Sequence, residues 1–122
     1  MEFIKNRLKS LQYVFQGVYY LVKNEPPVIV HILTSLAWVI LGFYFQITTN
    51  EWIIQLLCIG IVLSVEGLNT AIEKICDFVH PEHLKTIGII KDIAAGSVAF
   101  AVIPATIVLG IIYYPYVLTL FF

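Results

Sequence analysis

Long apolar segments alternate with short polar connections along the chain. Each apolar segment has about 20 residues or more, which is the length that an α-helix needs to cross the hydrocarbon core of a bilayer. The pattern predicts membrane-spanning helices over residues of about 28–47, 52–78 and 93–114. The expected fold is therefore an all-α membrane protein.

Prolines predict where these helices end. The Pro26-Pro27 pair stands directly before the first span, and Pro81 follows the second. A proline lacks the backbone N–H and disfavours helical geometry in the residue before it, so helix breaks are expected at both places. Pro104 lies inside the third segment and predicts an interrupted, kinked helix, and Pro115 follows that span.

The N-terminal segment, residues of about 3–24, has a different pattern. Apolar side chains recur every three or four residues, with basic and amide side chains between them. This spacing predicts an amphipathic helix that lies in the membrane interface with its basic residues towards the lipid headgroups. The apolar positions are Ile4, Leu8, Leu11, Phe15, Val18 and Val22.

Composition supports a membrane protein and excludes other classes. The 122-residue chain is 60% hydrophobic and only 12% charged, and its mean hydropathy of +0.92 is too high for an ordinary soluble domain. The formal net charge of −1 leaves no excess of positive charge for nucleic acid, which is not expected as a partner. The length favours a single domain over residues 1–122.

The positive charges are distributed unevenly. Four precede the first span and three lie between the centres of the second and third spans, whereas residues 48–51 carry none. By the positive-inside rule, the N-terminus and the second connection are expected to face the cytoplasm. These residues are Lys5, Arg7, Lys9, Lys23, Lys74, Lys85 and Lys91.

Glu66 is the most informative single residue, because it falls inside the apolar second segment. A carboxylate at membrane depth costs at least about 2.5–3.5 kcal/mol to insert, so its presence indicates a function. Four polar residues follow at helical spacing and share its face of the helix. They are Asn69, Thr70, Glu73 and Asp77.

The candidate polar groups concentrate at the cytoplasmic side of the membrane, where Glu25, Lys91 and Asp92 join the face of Glu66. Carboxylates near water can hold Mg²⁺ together with phosphate oxygens, and a lysine can pair with phosphate charge. A deeper carboxylate can act as general base on a lipid hydroxyl. Since Glu66 lies about 10 Å deeper than Glu73 along the helix axis, the arrangement favours phosphoryl transfer to a substrate at the membrane surface.

Each candidate also has a purely structural alternative. The acids nearer to water could form a solvated helix end, Lys91 could be a positive-inside anchor, and Asn69 could join two helices. Glu25 could be an ordinary loop acid, and Tyr13 and the three histidines could have interfacial, solvated or packing roles. Glu66 is the residue that a structural role explains least well.

An oligomer is expected from the third span. Small residues at its start permit close approach of a neighbouring helix. Three helices alone are not expected to shield Glu66 from lipid, so Glu66 should face a neighbouring subunit or an inner cavity. The small residues are Ala94, Ala95, Gly96, Ser97, Ala99 and Ala101.

Two segments carry a resemblance to a known family. Residues 66–77 are Glu-Gly-Leu-Asn-Thr-Ala-Ile-Glu-Lys-Ile-Cys-Asp, and residues 91–98 are Lys-Asp-Ile-Ala-Ala-Gly-Ser-Val. Together they closely resemble the signature of the small prokaryotic integral-membrane diacylglycerol kinases, a family that includes undecaprenol kinases. The resemblance covers nearly the whole chain, from the surface helix to the third span.

The resemblance implies a homotrimer with composite active sites that transfers the γ-phosphate of ATP, with Mg²⁺, to a lipid alcohol such as diacylglycerol or undecaprenol. It implies that Glu66 is the catalytic base, and that Asn69 orients Glu66 or the acceptor hydroxyl. Glu25 and Glu73 would hold the metal that bridges ATP. The other residues implied at the nucleotide are Tyr13, Gly17, Asp77, Glu82, His83, Lys91 and Asp92.

The chain departs from the family pattern at two places. Asn6 stands where an arginine is often found early in the surface helix, so that Arg7 or Lys9 would have to replace it. Pro26-Pro27 follows Glu25, where many relatives carry Arg-Asn or a similar pair.

Two other functions fit parts of the sequence. A small oligomeric proton-coupled transporter could use Glu66, but a transport path needs polar groups through the whole span, and outward of Ser64 the second segment has only Gln55. A non-catalytic membrane partner subunit would not need an aligned acidic face. The sequence therefore favours an enzyme.

Overall fold

The chain forms a bundle of long helices. The computed structural model describes all residues from Met1 to Phe122, and three of its helices are long and apolar enough to cross a membrane. The predicted all-helical architecture with three spans is confirmed, and the protein is a multi-pass membrane protein. The helices are α1 (Glu2–Asn24), α2 (Pro26–Phe45), α3 (Thr49–Val79) and α4 (Lys85–Phe121).

The proline pair separates α1 from α2. Glu25 lies between the two helices in an extended conformation, with φ −112° and ψ 99°, because a following proline disfavours the helical region. Pro26 and Pro27 themselves occupy the first positions of α2, where a backbone N–H has no partner within the helix. The predicted break is confirmed, and it sets the direction in which the Glu25 side chain extends from the backbone.

A short turn joins α2 to α3. Gln46 adopts the left-handed conformation at the end of α2, with φ 52° and ψ 51°. Thr48 and Glu51 then form a capping box, in which the backbone N–H of Thr48 donates to the Glu51 carboxylate at 2.8 Å and the Glu51 N–H donates back to the Thr48 hydroxyl. A Cβ at Gly42 would lie 2.7 Å from the Trp52 ring, so glycine is what lets that ring lie against the α2 backbone.

The fourth helix differs from the sequence prediction. It is continuous from Lys85 to Phe121 and includes both Pro104 and Pro115, so the interruption predicted at Pro104 is wrong, and the helix extends beyond the predicted span of about 93–114 at both ends. Each proline removes only one backbone donor, and membrane helices tolerate that loss where neighbouring groups compensate. Beyond Pro115 the chain is held against α3, because the Tyr116 hydroxyl donates to Glu51 Oε2 at 2.6 Å.

A buried polar network joins α2, α3 and α4 on the side of the α2–α3 turn. The Gln55 side chain is fully buried; its Nε2 donates to the Trp38 carbonyl oxygen at 3.1 Å, and the Tyr113 hydroxyl donates to its Oε1 at 2.6 Å. Ile47, Leu109 and Ile112 pack around this network. The most extensive helix pairing is between α3 and α4.

Candidate active site

Glu66 is buried within a single chain. Its residue is only 5% exposed, and its carboxylate Oε2 lies 3.5 Å from Nε2 of His31 on α2. Leu21 of α1 covers the next residue, since its Cδ1 lies 3.4 Å from where a Cβ of Gly67 would be. The expectation that one chain could not shield Glu66 from lipid is therefore wrong, because α1 and α2 cover this part of α3.

One turn along α3, Asn69 and Glu73 form a second pair. Asn69 Nδ2 donates to Glu73 Oε1 at 3.3 Å, so the Asn69 amide group points towards Glu73. The other end of the same amide, Oδ1, is buried and has no hydrogen-bond partner. A buried acceptor without a donor is costly, which indicates that a cation, water or ligand donor belongs beside it.

Glu25 is joined to α3 by a residue that the sequence did not single out. Its carboxylate lies 3.0 Å from Nζ of Lys74, the residue that follows Glu73. The same ammonium group lies 5.7 Å from the centre of the Tyr20 ring of α1. Lys74 thereby connects α1, the α1–α2 junction and the acidic face of α3.

Further towards the α3–α4 connection, Asp77 and Lys91 form an ion pair that links α3 to α4. These two residues share a cleft with Glu82 and His83 of the connecting loop, so four of the residues implied at the nucleotide are brought together. The complete lining of the cleft is Asp77, His80, Pro81, Glu82, His83, Leu84, Ile87, Gly88 and Lys91.

Three other candidates remain apart. Tyr13 is 61% exposed, and a Cβ at Gly17 would meet nothing within 4 Å, so this part of α1 presents an open face. Asp92 is exposed about two turns into α4. None of the three makes a side-chain hydrogen bond or ion pair with the Glu66, Asn69 and Glu73 groups.

The donor groups on this face fit a hard cation, although no three His, Cys, Asp or Glu side chains converge on one point. Glu25 and Glu73 offer carboxylate oxygens, and Asn69 Oδ1 is an oxygen acceptor that lacks a donor. Mg²⁺ takes one or two carboxylates and fills its other positions with phosphate oxygens and water. In chemical type, these oxygen atoms are the ligands that Mg²⁺ takes.

Sequence reasoning missed His31 and Lys74 as parts of the site. The sequence pattern favours a solvated or packing role for His31, and it indicates only a positive charge at Lys74. The signal for His31 was its position in an apolar span, where ionisable side chains are rare. The signal for Lys74 was its place directly beside Glu73.

The fold and the site define a class of protein: a multi-pass helical membrane protein with a buried carboxylate beneath a cluster of acidic, amide and basic groups. Residues 12–113 match the family model described as prokaryotic diacylglycerol kinase. The chain belongs to this family of lipid kinases, and the resemblance expected from its motifs is confirmed.

Two curated relatives agree with this assignment. The chain is 36% identical over 100 residues to an undecaprenol kinase of Bacillus subtilis, covering 81% of each chain. It is 31% identical over 116 residues to a diacylglycerol kinase of Synechocystis sp., covering 94% of this chain and 66% of that protein. The prediction of an enzyme, and specifically of a lipid kinase, is confirmed.

Proposed function

We propose that this protein transfers the γ-phosphoryl group of ATP, bound with Mg²⁺, to the hydroxyl of a membrane lipid alcohol. The observation that carries the proposal is the Glu66 carboxylate, buried in a membrane helix on the same helix face as Asn69 and Glu73. Family membership supplies the reaction class, and the names of the two relatives suggest undecaprenol and diacylglycerol as acceptors.

In the proposed reaction, Glu66 accepts the proton of the lipid hydroxyl as the hydroxyl oxygen bonds to the γ-phosphorus. The bond from that phosphorus to the β–γ bridging oxygen breaks, and ADP leaves with the electron pair. Glu66 suits this role because it is shielded from water and lies about 10 Å from Glu73 along the helix axis. A lipid hydroxyl can reach that depth, while the triphosphate stays at the polar end of α3.

At the polar end, Glu25 and Glu73 would hold the metal, with Asn69 Oδ1 beside them. The chemistry that a bound Mg²⁺ would supply there is neutralisation of the negative charge on the phosphate groups. Lys91 and the cleft that it shares with Asp77, Glu82 and His83 offer a place for the rest of the nucleotide. The nucleotide site at this end would also include three exposed residues, Tyr13, Gly17 and Asp92.

The proposal also includes a homotrimer, an amphipathic surface helix and a cytoplasmic active site at the inner membrane. Burial of Glu66 no longer argues for an oligomer, since one chain provides it. Support comes instead from about the third turn of α4, where Ala95, Gly96 and Ser97 are exposed and leave room for a neighbouring helix. The open face around Tyr13 and Gly17 could likewise be completed by a neighbouring subunit.

Transport is the weaker alternative. A proton path needs a series of polar groups across the membrane. Here Gln55, the one polar side chain of α3 between Ser64 and Glu51, is fully buried and bonded to Tyr113 and Trp38. No contact in the structure favours transport over phosphoryl transfer.

The direct test is incorporation of ³²P from γ-labelled ATP into a panel of lipid alcohols, including undecaprenol and diacylglycerol, in mixed micelles or vesicles. Labelling should require Mg²⁺ and should be abolished by Glu66→Gln, which keeps the shape of the side chain but removes the base. A general base contributes typically about 10²–10⁴-fold to rate. The acceptor labelled most efficiently identifies the substrate.

Glu2→Gln is the matched control, because Glu2 lies in the first turn of α1, far along the chain from the candidate site. It should retain wild-type labelling, and both variants should elute as the same oligomer. Wild-type labelling by Glu66→Gln would remove Glu66 from the role of base. No labelled product from any lipid alcohol would end the kinase proposal itself.

A further inference from the structure

We propose that His31 is the positioning residue for Glu66: its imidazole Nε2 holds the carboxylate through Oε2 and leaves Oε1 free for the acceptor hydroxyl. This inference rests on the proposed role of Glu66. The contact joins α2 to α3 at 3.5 Å between His31 Nε2 and Glu66 Oε2, and His31 is the one polar side chain that the structure places in contact with the Glu66 carboxylate.

The two side chains are well shielded from solvent. The Glu66 side chain is 6% exposed and the His31 side chain 25% exposed. The two atoms make no hydrogen bond in this structure, but catalytic contacts are often long or poorly aligned before substrate binds and tighten in the complex. A small movement of α2 towards α3 would bring the two atoms into hydrogen-bond range.

The other polar groups near His31 are already engaged. His31 lines a cavity of about 70 Å³ between α2, α3 and α4, together with Thr34, Ser35 and Thr106. Each of these hydroxyls donates to the carbonyl oxygen four residues earlier on its own helix. They therefore have no hydrogen left to donate to a carboxylate.

Two further polar residues lie one turn along α3 from Glu66: Asn69, whose Nδ2 donates to Glu73 Oε1 at 3.3 Å, and Thr70, which carries no side-chain nitrogen. His31 is thus the one side chain on the neighbouring helices that faces Glu66 with a nitrogen able to donate. An unrestrained glutamate has three rotatable side-chain bonds, and restraint of one oxygen reduces that freedom. Misplacement of a reacting group by about 1 Å can cost about 10²-fold in rate.

The activity arm of the test compares His31→Ala and His31→Gln with Thr34→Val, a control on the same cavity wall whose hydroxyl bonds only to Val30. In the ³²P assay, His31→Ala should lower kcat about 10- to 100-fold, while KM for ATP stays unchanged, because His31 does not contact the polar end of α3. His31→Gln retains an N–H donor and should recover a large part of the loss. Thr34→Val should behave as wild type.

The spectroscopic arm does not depend on turnover. In ¹⁵N-histidine-labelled protein, the His31 imidazole resonances, assigned by their loss in His31→Gln, should shift on Glu66→Gln but not on Glu73→Gln. His80 and His83 lie beyond the end of α3 and serve as internal references.

Both arms must succeed. Wild-type kcat in His31→Ala, or failure of Glu66→Gln to shift the His31 resonances, overturns the inference. A loss of activity that His31→Gln does not relieve also overturns it, since that pattern marks a purely structural role. Failure of the proposed function is distinguishable, because the wild type would then label no lipid alcohol while the NMR arm still tests the contact.

Discussion

At the scale of single residues, the candidate site contains a cation from the chain itself. Lys74 Nζ lies 3.0 Å from the Glu25 carboxylate and adjoins Glu73 in sequence. The Glu25 side chain is 14% exposed and that of Lys74 55% exposed, so solvent screens the pair and a divalent cation can displace it. Lys74 therefore competes with a metal ion for Glu25, which is one of the two carboxylates proposed to hold the metal.

Lys74→Met should strengthen metal binding in the absence of nucleotide, because it removes a positive charge that competes for Glu25. With Mn²⁺ as a stand-in for Mg²⁺, the dissociation constant should fall about two- to fivefold, as expected for loss of one solvent-screened ion pair. Titration followed by electron paramagnetic resonance of free Mn²⁺ measures this directly. Lys85→Met, which removes a lysine without an ion-pair partner, should leave Mn²⁺ binding unchanged; equal or weaker binding in Lys74→Met would exclude competition.

The same residues show what the sequence could not predict. The depth of Glu66 and its common face with Asn69 and Glu73 follow from helical periodicity alone, since all three lie on one helix. The partners His31 and Lys74 depend on how α2 and α1 are rotated against α3. That rotation is set by packing of whole helices, which no local pattern encodes.

At the scale of helices, the half of the bundle near the α2–α3 turn is stabilised by hydrogen bonds as well as by apolar packing. Gln55 accepts from Tyr113 and donates to the Trp38 carbonyl oxygen, so one side chain of α3 joins both neighbouring helices. Breaks at proline pairs were predictable because they depend on local geometry. Continuation of α4 through Pro115 was not, because it depends on the distant contact between Tyr116 and Glu51.

Tyr113→Phe should destabilise the bundle without affecting the chemistry. It leaves the buried Gln55 Oε1 without a donor, and loss of such an interhelical hydrogen bond in a membrane protein costs about 0.6–2 kcal/mol. The free energy of unfolding, measured by SDS titration, should fall by that amount, while the specific activity of folded enzyme stays unchanged. Tyr114→Phe is the matched control, since Tyr114 is 66% exposed; equal effects of the two substitutions would show that the network does not stabilise the fold.

At the scale of the whole molecule, two helices are longer than the membrane. At 1.5 Å per residue, α3 with 31 residues spans about 46 Å and α4 with 37 residues about 55 Å, against a hydrocarbon core of about 30 Å. Both can therefore carry polar turns outside the lipid. The α3–α4 connection lies at one such end, with Lys74, Lys85 and Lys91 on the adjoining parts of the two helices, whereas the α2–α3 turn at the other end has no lysine or arginine.

This asymmetry predicts that the α3–α4 connection faces the cytoplasm and the α2–α3 turn the outside. The two cysteines, Cys58 and Cys76, are unpaired and can be replaced by alanine to give a background for single-cysteine labelling. In intact cells, a membrane-impermeant maleimide should label Asn50→Cys but not His83→Cys, and permeabilised cells should show both. The opposite pattern would place the proposed nucleotide site on the side of the membrane that lacks ATP, and would contradict phosphoryl transfer from ATP as firmly as a negative assay.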